Sequence, residues 1–188
     1  MFFKKPENID EKNLKDLAKE LSNGSVQAFH IFYHKYKTDI YHFCYRMLND
    51  KDLADEAFQE TFVKVYENRT RFDGNNFKSW VFTIARNTCL NYIRESKFKV
   101  EFEEDYLAPV RDKHNDFALQ KYIKDAIVEL PVSYREVIVL REYEGYSYQE
   151  IAEILDVSIA LVKIRIYRAR VILKEKLQPV VKEIYDSR

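Results

Sequence analysis

The sequence predicts an all-α protein of two small helical domains joined by a flexible acidic linker, the second domain containing a helix-turn-helix. Three observations carry this prediction. Apolar residues recur at three- and four-residue steps over most of the chain, and no alternating strand pattern of useful length interrupts them. The stretch VEFEEDYLAPVRDKHND, which follows Lys99, is acidic, contains Pro109 and has no sustained period. The stretch YSYQEIAEILDVSIALVKIRIYRAR, Tyr146 to Arg170, reads as two helices joined by a tight turn. Split this way, a chain of 188 residues leaves each half just large enough to bury a core of its own. The expected boundaries are 1–97, 98–117 for the linker and 118–188.

Each element follows from its pattern. From Ser25 to Leu48, the residues Phe29, Phe32, Tyr33, Tyr36, Ile40, Phe43 and Met47 form one long apolar stripe. Asp52 to Tyr66 repeats it with Ala54, Ala57, Phe58, Thr61, Phe62 and Val65, and Phe77 to Tyr92 with Trp80, Val81, Ile84, Ala85 and Thr88. Three facing stripes make a compact bundle. Helical pattern resumes near Phe117, breaks at Pro131, starts again at Tyr134 and stops at Gly145. Ser147 then supplies an N-cap, and Glu150, three residues on, completes a capping box. Ile151, Ala152 and Leu155 face inward, and Asp156, Val157 and Ser158 make the turn. In the last helix Val162, Ile166, Ala169, Leu173 and Leu177 share a narrow apolar face, which leaves Lys163, Arg165, Arg168 and Arg170 outside it.

Composition excludes several classes. Only three glycines are present, so neither a dinucleotide-binding nor a Walker-type phosphate loop can be assembled. Cys44 and Cys89 lie far apart inside apolar helical patterns and form no CxxC, which reads as two buried thiols in a reducing compartment. His30 and His34 share a helix face, but no further ligand and no HExxH accompany them; His42 and His114 have no catalytic partners, so no metal, cofactor or enzyme activity is expected. The start MFFKKPENIDEKN lacks the apolar run of a signal peptide, and the expected location is the cytosol.

The formal net charge of zero conceals a strong segregation. Lys78, Arg86, Arg94, Lys97 and Lys99 oppose Glu95 alone between positions 78 and 99, and the last helix is equally basic up to Lys176. Asp50, Asp52, Asp55, Glu56 and Glu60 oppose only Lys51, and the linker is acidic as well. Local fields, not the sum, decide what a phosphate meets. A capped helix, a short turn and a second helix rich in cations together suit a major groove, with Arg165 and Arg168 aimed at base edges and Lys163 and Arg170 at phosphates. Leu161 and Ile164 lie on the same outer side; exposed, they meet thymine methyls, and buried, they pack on the first domain or on a protein partner.

On these residues the chain resembles a bacterial RNA polymerase sigma factor of the extracytoplasmic-function group. The second domain carries LPVSYREVIVLREYEGYSYQEIAEILDVS and ALVKIRIYRARVILKEKL; the first carries NGSVQAFHIFYHKY, DLADEAFQETFVKVYE and FKSWVFTIARNTCLNYIR, in the family's order and spacing. The resemblance implies a transcription initiation factor without covalent chemistry. It assigns Asp52, Asp55, Glu56, Gln59 and Val63 to docking on the clamp helices of the largest subunit of core RNA polymerase. It assigns Asn68, Phe72 and Asn87 to the pocket that takes a flipped base of the melted −10 element, with Arg86 and Arg94 along the separated strand. Lys163, Ile164, Arg165, Tyr167, Arg168 and Arg170 fall to the −35 duplex. An amide can read a base edge and an aromatic ring can stack on an unpaired base, which makes these roles chemically sound.

The resemblance further implies promoter DNA and an anti-sigma factor, one that a membrane can hold, as partners. It also implies a linker threading toward the polymerase cleft. The sequence departs from the family at Asp156, where a Gly is usual, at Ala160-Leu161 in place of Gly-Thr, and at Ile164 in place of a small polar residue. These changes bear on which promoter is read. The alternative is a stand-alone helix-turn-helix regulator, which needs neither an acidic docking face nor an asparagine-aromatic pocket.

Overall fold

Ser25 and Asp50 open the long helices of the first domain by the same device. Each side chain accepts a hydrogen bond from a backbone N–H of the first turn, Ala28 at 3.2 Å and Leu53 at 2.9 Å. The helices they start are α2 (Val26–Leu48) and α3 (Lys51–Glu67); α1 (Glu11–Ser22) precedes them and α4 (Phe77–Val100) follows. The computed structural model describes residues 11–72, 76–100 and 116–186. Of the expected linker, 98–117, residues 101–115 lie outside the described residues, while 98–100 end α4 and 116–117 open the next helix; the side chains of Lys97 and Lys99 also lie outside them.

Stripes expected to face each other do so. Phe32 stacks on Phe77 of α4 at 3.8 Å, Phe29 and Tyr33 meet Phe62 of α3 edge-on, and Ile40, Phe43 and Met47 are fully buried. Cys44 and Cys89 are free and buried, as their apolar surroundings suggest. Helix α1, not among the expected elements, buries Ala18 and Leu21 and packs on α2. Helix α4 runs eight residues beyond Tyr92, the end expected from its stripe.

The second domain comprises α5 (Asp116–Val128), α6 (Val132–Ile138), α7 (Tyr148–Leu155) and α8 (Ile159–Asp186); α6 widens into π-helical turns over Val139–Tyr143. Pro131 stands at the N-cap of α6, so that helix begins at Val132 and not at Tyr134. Gly145 follows with φ 71°, a conformation that costs glycine little, and it re-aims the chain so that Tyr146 turns inward. Among the described residues there is no strand, and no helix is long and apolar enough to cross a membrane.

The two domains share one continuous core, in contrast to the independent cores expected of two domains on a flexible tether. Arg135 of α6 is buried and spans the seam. Its Nη1 donates to Met47 O, near the C-terminus of α2, at 2.6 Å, while Nη2 donates to Val128 O and, at 3.5 Å, to Leu130 O after α5. One guanidinium thus satisfies carbonyls that two helix ends leave over, where the helix dipoles favour a cation. Tyr146 inserts against α4: its ring lies 5.0 Å from Phe82, edge-on, under the Lys78 ammonium at 4.0 Å. Thr83 Oγ1 donates to Ile154 O of α7 at 3.1 Å.

Arg46 of α2 pairs with Glu144 at 2.8 Å in the same seam. Burial pushes the Glu144 carboxyl up to about 7 from an ordinary 4.5, against the opposing pull of Arg46; Asp39 raises it further and Lys78 lowers it. A raised acid favours the folded state when protonated, so its contribution is complete below pH 4.5 and is lost as pH rises through about 7. Glu144→Gln is expected to flatten the fall in thermal stability across that window and to leave the variant the more stable of the two above it. Melting curves of both proteins over the same pH series check this.

Candidate nucleic-acid interface

The helix-turn-helix forms as its caps dictate. Ser147 Oγ accepts from Glu150 N–H at 3.2 Å, and Glu150 Oε2 accepts from Ser147 N–H at 2.8 Å. These bonds hold the Glu150 carboxyl below its usual range. Asp156 takes the left-handed conformation, φ 52°, and Val157 N–H closes on Ala152 O at 3.0 Å, so Asp fills the turn position that suits Gly better. Ser158 then caps α8 through Leu161 N–H. Val162, Ile166 and Ala169 are buried beneath α7, and this fixes which side of α8 faces outward.

The outward face holds Lys163, Ile164, Tyr167 and Arg168, all exposed; Tyr167 reaches 70% exposure. Leu161 is exposed too, so of the readings open for Leu161 and Ile164, packing on the first domain does not occur. Lys163 and Arg168 form no ion pair among the described residues. Arg170 is exposed but bound, its Nη2 2.6 Å from Glu142 Oε1 and its Nε 3.2 Å from the same oxygen, and this bond raises its pKa further.

Arg165 corrects the expectation that all four cations of this helix stand free. Its side chain is 21% exposed and bends back to Glu136 Oε1 at 3.2 Å. A carboxylate with 2% of its surface exposed needs cationic donors, and this need outweighs the solvation that the narrow apolar stripe predicted for Arg165.

On α4 the same carboxylate takes a second cation. Arg86 Nε donates to Glu136 Oε2 at 2.7 Å and Nη2 to Oε1 at 3.4 Å, while Nη1 donates to Asn87 Oδ1 at 3.2 Å. Asn87 and Arg94 are exposed along this helix. Asn68 terminates α3 and is tied back by its Nδ2 to Lys64 O at 2.9 Å. Phe72 is a second correction: it is buried, stacked on Trp80 at 4.9 Å and edge-on to Phe77, so its ring faces are occupied by core neighbours and not open to a base. Packing against Trp80 and Phe77 takes the apolar ring out of water, which exposure in the loop would not.

On α3, Asp52, Glu56, Gln59 and Val63 are exposed and Asp55 is half-buried. They form one outward acidic strip around Val63, itself 55% exposed, on the side of α3 opposite its buried Ala54, Ala57 and Val65. His30 and His34 are exposed on α2 with their Nε2 atoms 3.2 Å apart, and among the described residues no cluster of three or more metal-ligating side chains exists.

The family profile Sigma-70 region 2 matches residues 32–98, and Sigma-70, region 4, matches residues 120–173. The chain is 33% identical to the ECF RNA polymerase sigma factor SigW of Bacillus subtilis, over 89% of this chain and 98% of that one. It is 31% identical to the ECF RNA polymerase sigma-E factor of Haemophilus influenzae, over 88% and 95%. Among solved structures, the sigma factor RpoE of Bartonella quintana, in complex with the anti-sigma factor NepR, superposes with a TM-score of 0.66 at 28% identity, covering 81% of this chain and 98% of that one. CnrH, in complex with the cytosolic domain of CnrY, shares the fold with a TM-score of 0.69 at 23% identity, over 88% and 97%. With region 2 carried by α2 to α4, region 4 by α5 to α8, and relatives matched along nearly their whole length, the chain belongs to the extracytoplasmic-function sigma factors.

Proposed function

We propose that this protein docks on core RNA polymerase through the outward strip of α3, reads the −35 duplex with the outer face of α8, and holds melted −10 DNA along α4. The observation that carries this reading is the separation of charge onto distinct faces. An acidic strip on α3 suits a basic protein partner, while exposed cations on α8 and α4 suit phosphates. It performs no covalent chemistry, and it works in the cytoplasm, where polymerase and chromosome meet. The similarity to sigma factors solved with anti-sigma factors supports such an inhibitor as a further partner of this chain. A stand-alone regulator accounts for α8 but leaves the α3 strip without a purpose.

Within this reading Lys163, Ile164, Tyr167 and Arg168 meet the duplex first. Arg165 and Arg170 buttress α8 through Glu136 and Glu142. Asn87 and Arg94 serve the −10 strand, and Phe72 acts through packing beneath it. The docking assignment is tested by charge reversal. Glu56→Lys lies on an exposed position, so folding is expected to change by less than about 0.5 kcal/mol. Affinity for purified core polymerase, measured by surface plasmon resonance, is expected to fall about tenfold or more. Unchanged affinity would remove α3 from the interface.

A further inference from the structure

A cavity of about 550 Å³ opens where α2 of the first domain meets α5 and the π-helical turns of the second. That volume suits a small organic molecule. Tyr41 and Tyr45 stand one turn apart on α2 with their rings within 5° of parallel. With Tyr143 and with Ile123 and Ile127 of α5 they make walls that are mostly apolar. The charged and titratable side chains in those walls are Lys124, Arg46 and His42, and no Asp or Glu joins them among the described residues.

The cations are held in place without being fully neutralised. Lys124 donates to the Tyr45 hydroxyl at 2.5 Å, lies 4.2 Å over the Tyr45 ring, and forms no ion pair among the described residues. Its partner is a phenol, so the ammonium keeps its whole charge beside apolar surface. Arg46 lies 4.5 Å over the Tyr143 ring and pairs with Glu144 at 2.8 Å. Burial raises the Glu144 carboxyl to about 7, so near neutrality it carries only part of its charge and offsets Arg46 only in part. A carboxylate entering this space gains charge-assisted hydrogen bonds, and a flat ring gains tyrosine faces to pack on.

We infer that the cavity is a binding site for a small planar aromatic carboxylate, its ring held among the tyrosines and isoleucines and its carboxylate on Lys124 and Arg46. A neutral ring leaves both cations unpaired against apolar walls, and a saturated acid forgoes ring packing. Because α2 and α5 belong to different domains, the ligand bridges them, and binding stabilises the folded chain by mass action. The site shares no residue with the surfaces proposed for polymerase and DNA, so a failure here leaves those assignments untouched.

The test uses the full chain with cinnamate as the probe. Isothermal titration calorimetry is expected to show saturable binding of one cinnamate per chain, and the melting temperature is expected to climb with cinnamate concentration. Cinnamyl alcohol, which keeps the ring and lacks the charge, is expected to bind about tenfold more weakly. Nonanoate, which keeps the charge and the carbon count and lacks the ring, is expected to bind about threefold more weakly. These comparisons need no variant to fold.

Lys124→Met keeps the length of the side chain and removes the ammonium. It is expected to weaken cinnamate about tenfold and to leave the alcohol as it was, a split that a merely structural defect does not produce. Gln120→Trp, at an exposed position on the rim, fills the opening and is expected to abolish cinnamate binding while the unliganded protein melts as before. No saturable binding at millimolar cinnamate would overturn the inference. So would alcohol or nonanoate binding as tightly as cinnamate, or undiminished cinnamate binding by Gln120→Trp.

Discussion

Arg135→Ala is expected to destabilise the protein by about 3 kcal/mol or more, since each buried acceptor that loses its donor costs about 1–3 kcal/mol. Three carbonyls, those of Met47, Val128 and Leu130, depend on this guanidinium. Burial lowers the Arg135 pKa, so part of the loss is offset by removal of a desolvated charge, but the carbonyls remain behind without partners. Lys is a poor replacement, because one ammonium cannot span the ends of α2 and α5 in the way a forked guanidinium does. Urea unfolding followed by circular dichroism measures the loss. Wild-type stability in Arg135→Lys would show that charge alone, without the fork, joins the two helix ends.

Arg168→Ala is expected to have the largest effect on promoter choice. Arg168 is exposed on the outer face of α8 and carries no ion pair among the described residues, so its truncation costs no internal contact. An arginine that reads a guanine edge contributes about 1–3 kcal/mol of discrimination, which corresponds to a loss of about 5- to 150-fold at the preferred upstream sequence. Lys163→Ala, by contrast, is expected to weaken binding evenly across sequences and to reduce its salt dependence. Selection from a random upstream library by holoenzymes carrying each variant distinguishes a changed base preference from a uniform loss.

Local chemistry was the legible part of this fold. The capping box of Ser147 and Glu150 is decided within four residues, and the apolar stripes of α2, α3 and α4 need only helical period to be read. Helix α1 carried a readable signal too, with Leu14, Leu17, Ala18 and Leu21 at helical spacing, but its strongly charged neighbours mask it. Long-range pairing was not legible. Arg135 and Met47 are 88 positions apart, and nothing local to either marks the other.

The same limit explains the corrections at the site. Arg165 lies off the apolar stripe of α8, so helical period alone sends it to solvent, whereas Glu136 draws it back from 29 positions away. A hint was present in SYREVIVLRE, where two adjacent charges stand at the start of an apolar run: such a pair is buried only with partners. Phe72 failed for the complementary reason. An aromatic ring in a loop serves equally as a stacking platform or as an anchor, and Trp80 and Phe77, which settle the choice, come from the next helix.

The central claim, that this chain directs core polymerase to promoters, is tested most directly by reconstituted transcription on fragments of the genome that encodes it. Purified protein added to bacterial core polymerase is expected to yield discrete start sites that core alone does not produce, with Asn87→Ala still bound to core but impaired in forming open complexes. Transcripts no different from those of core alone, together with tight sequence-specific duplex binding by the free protein, would contradict the account and support a stand-alone regulator.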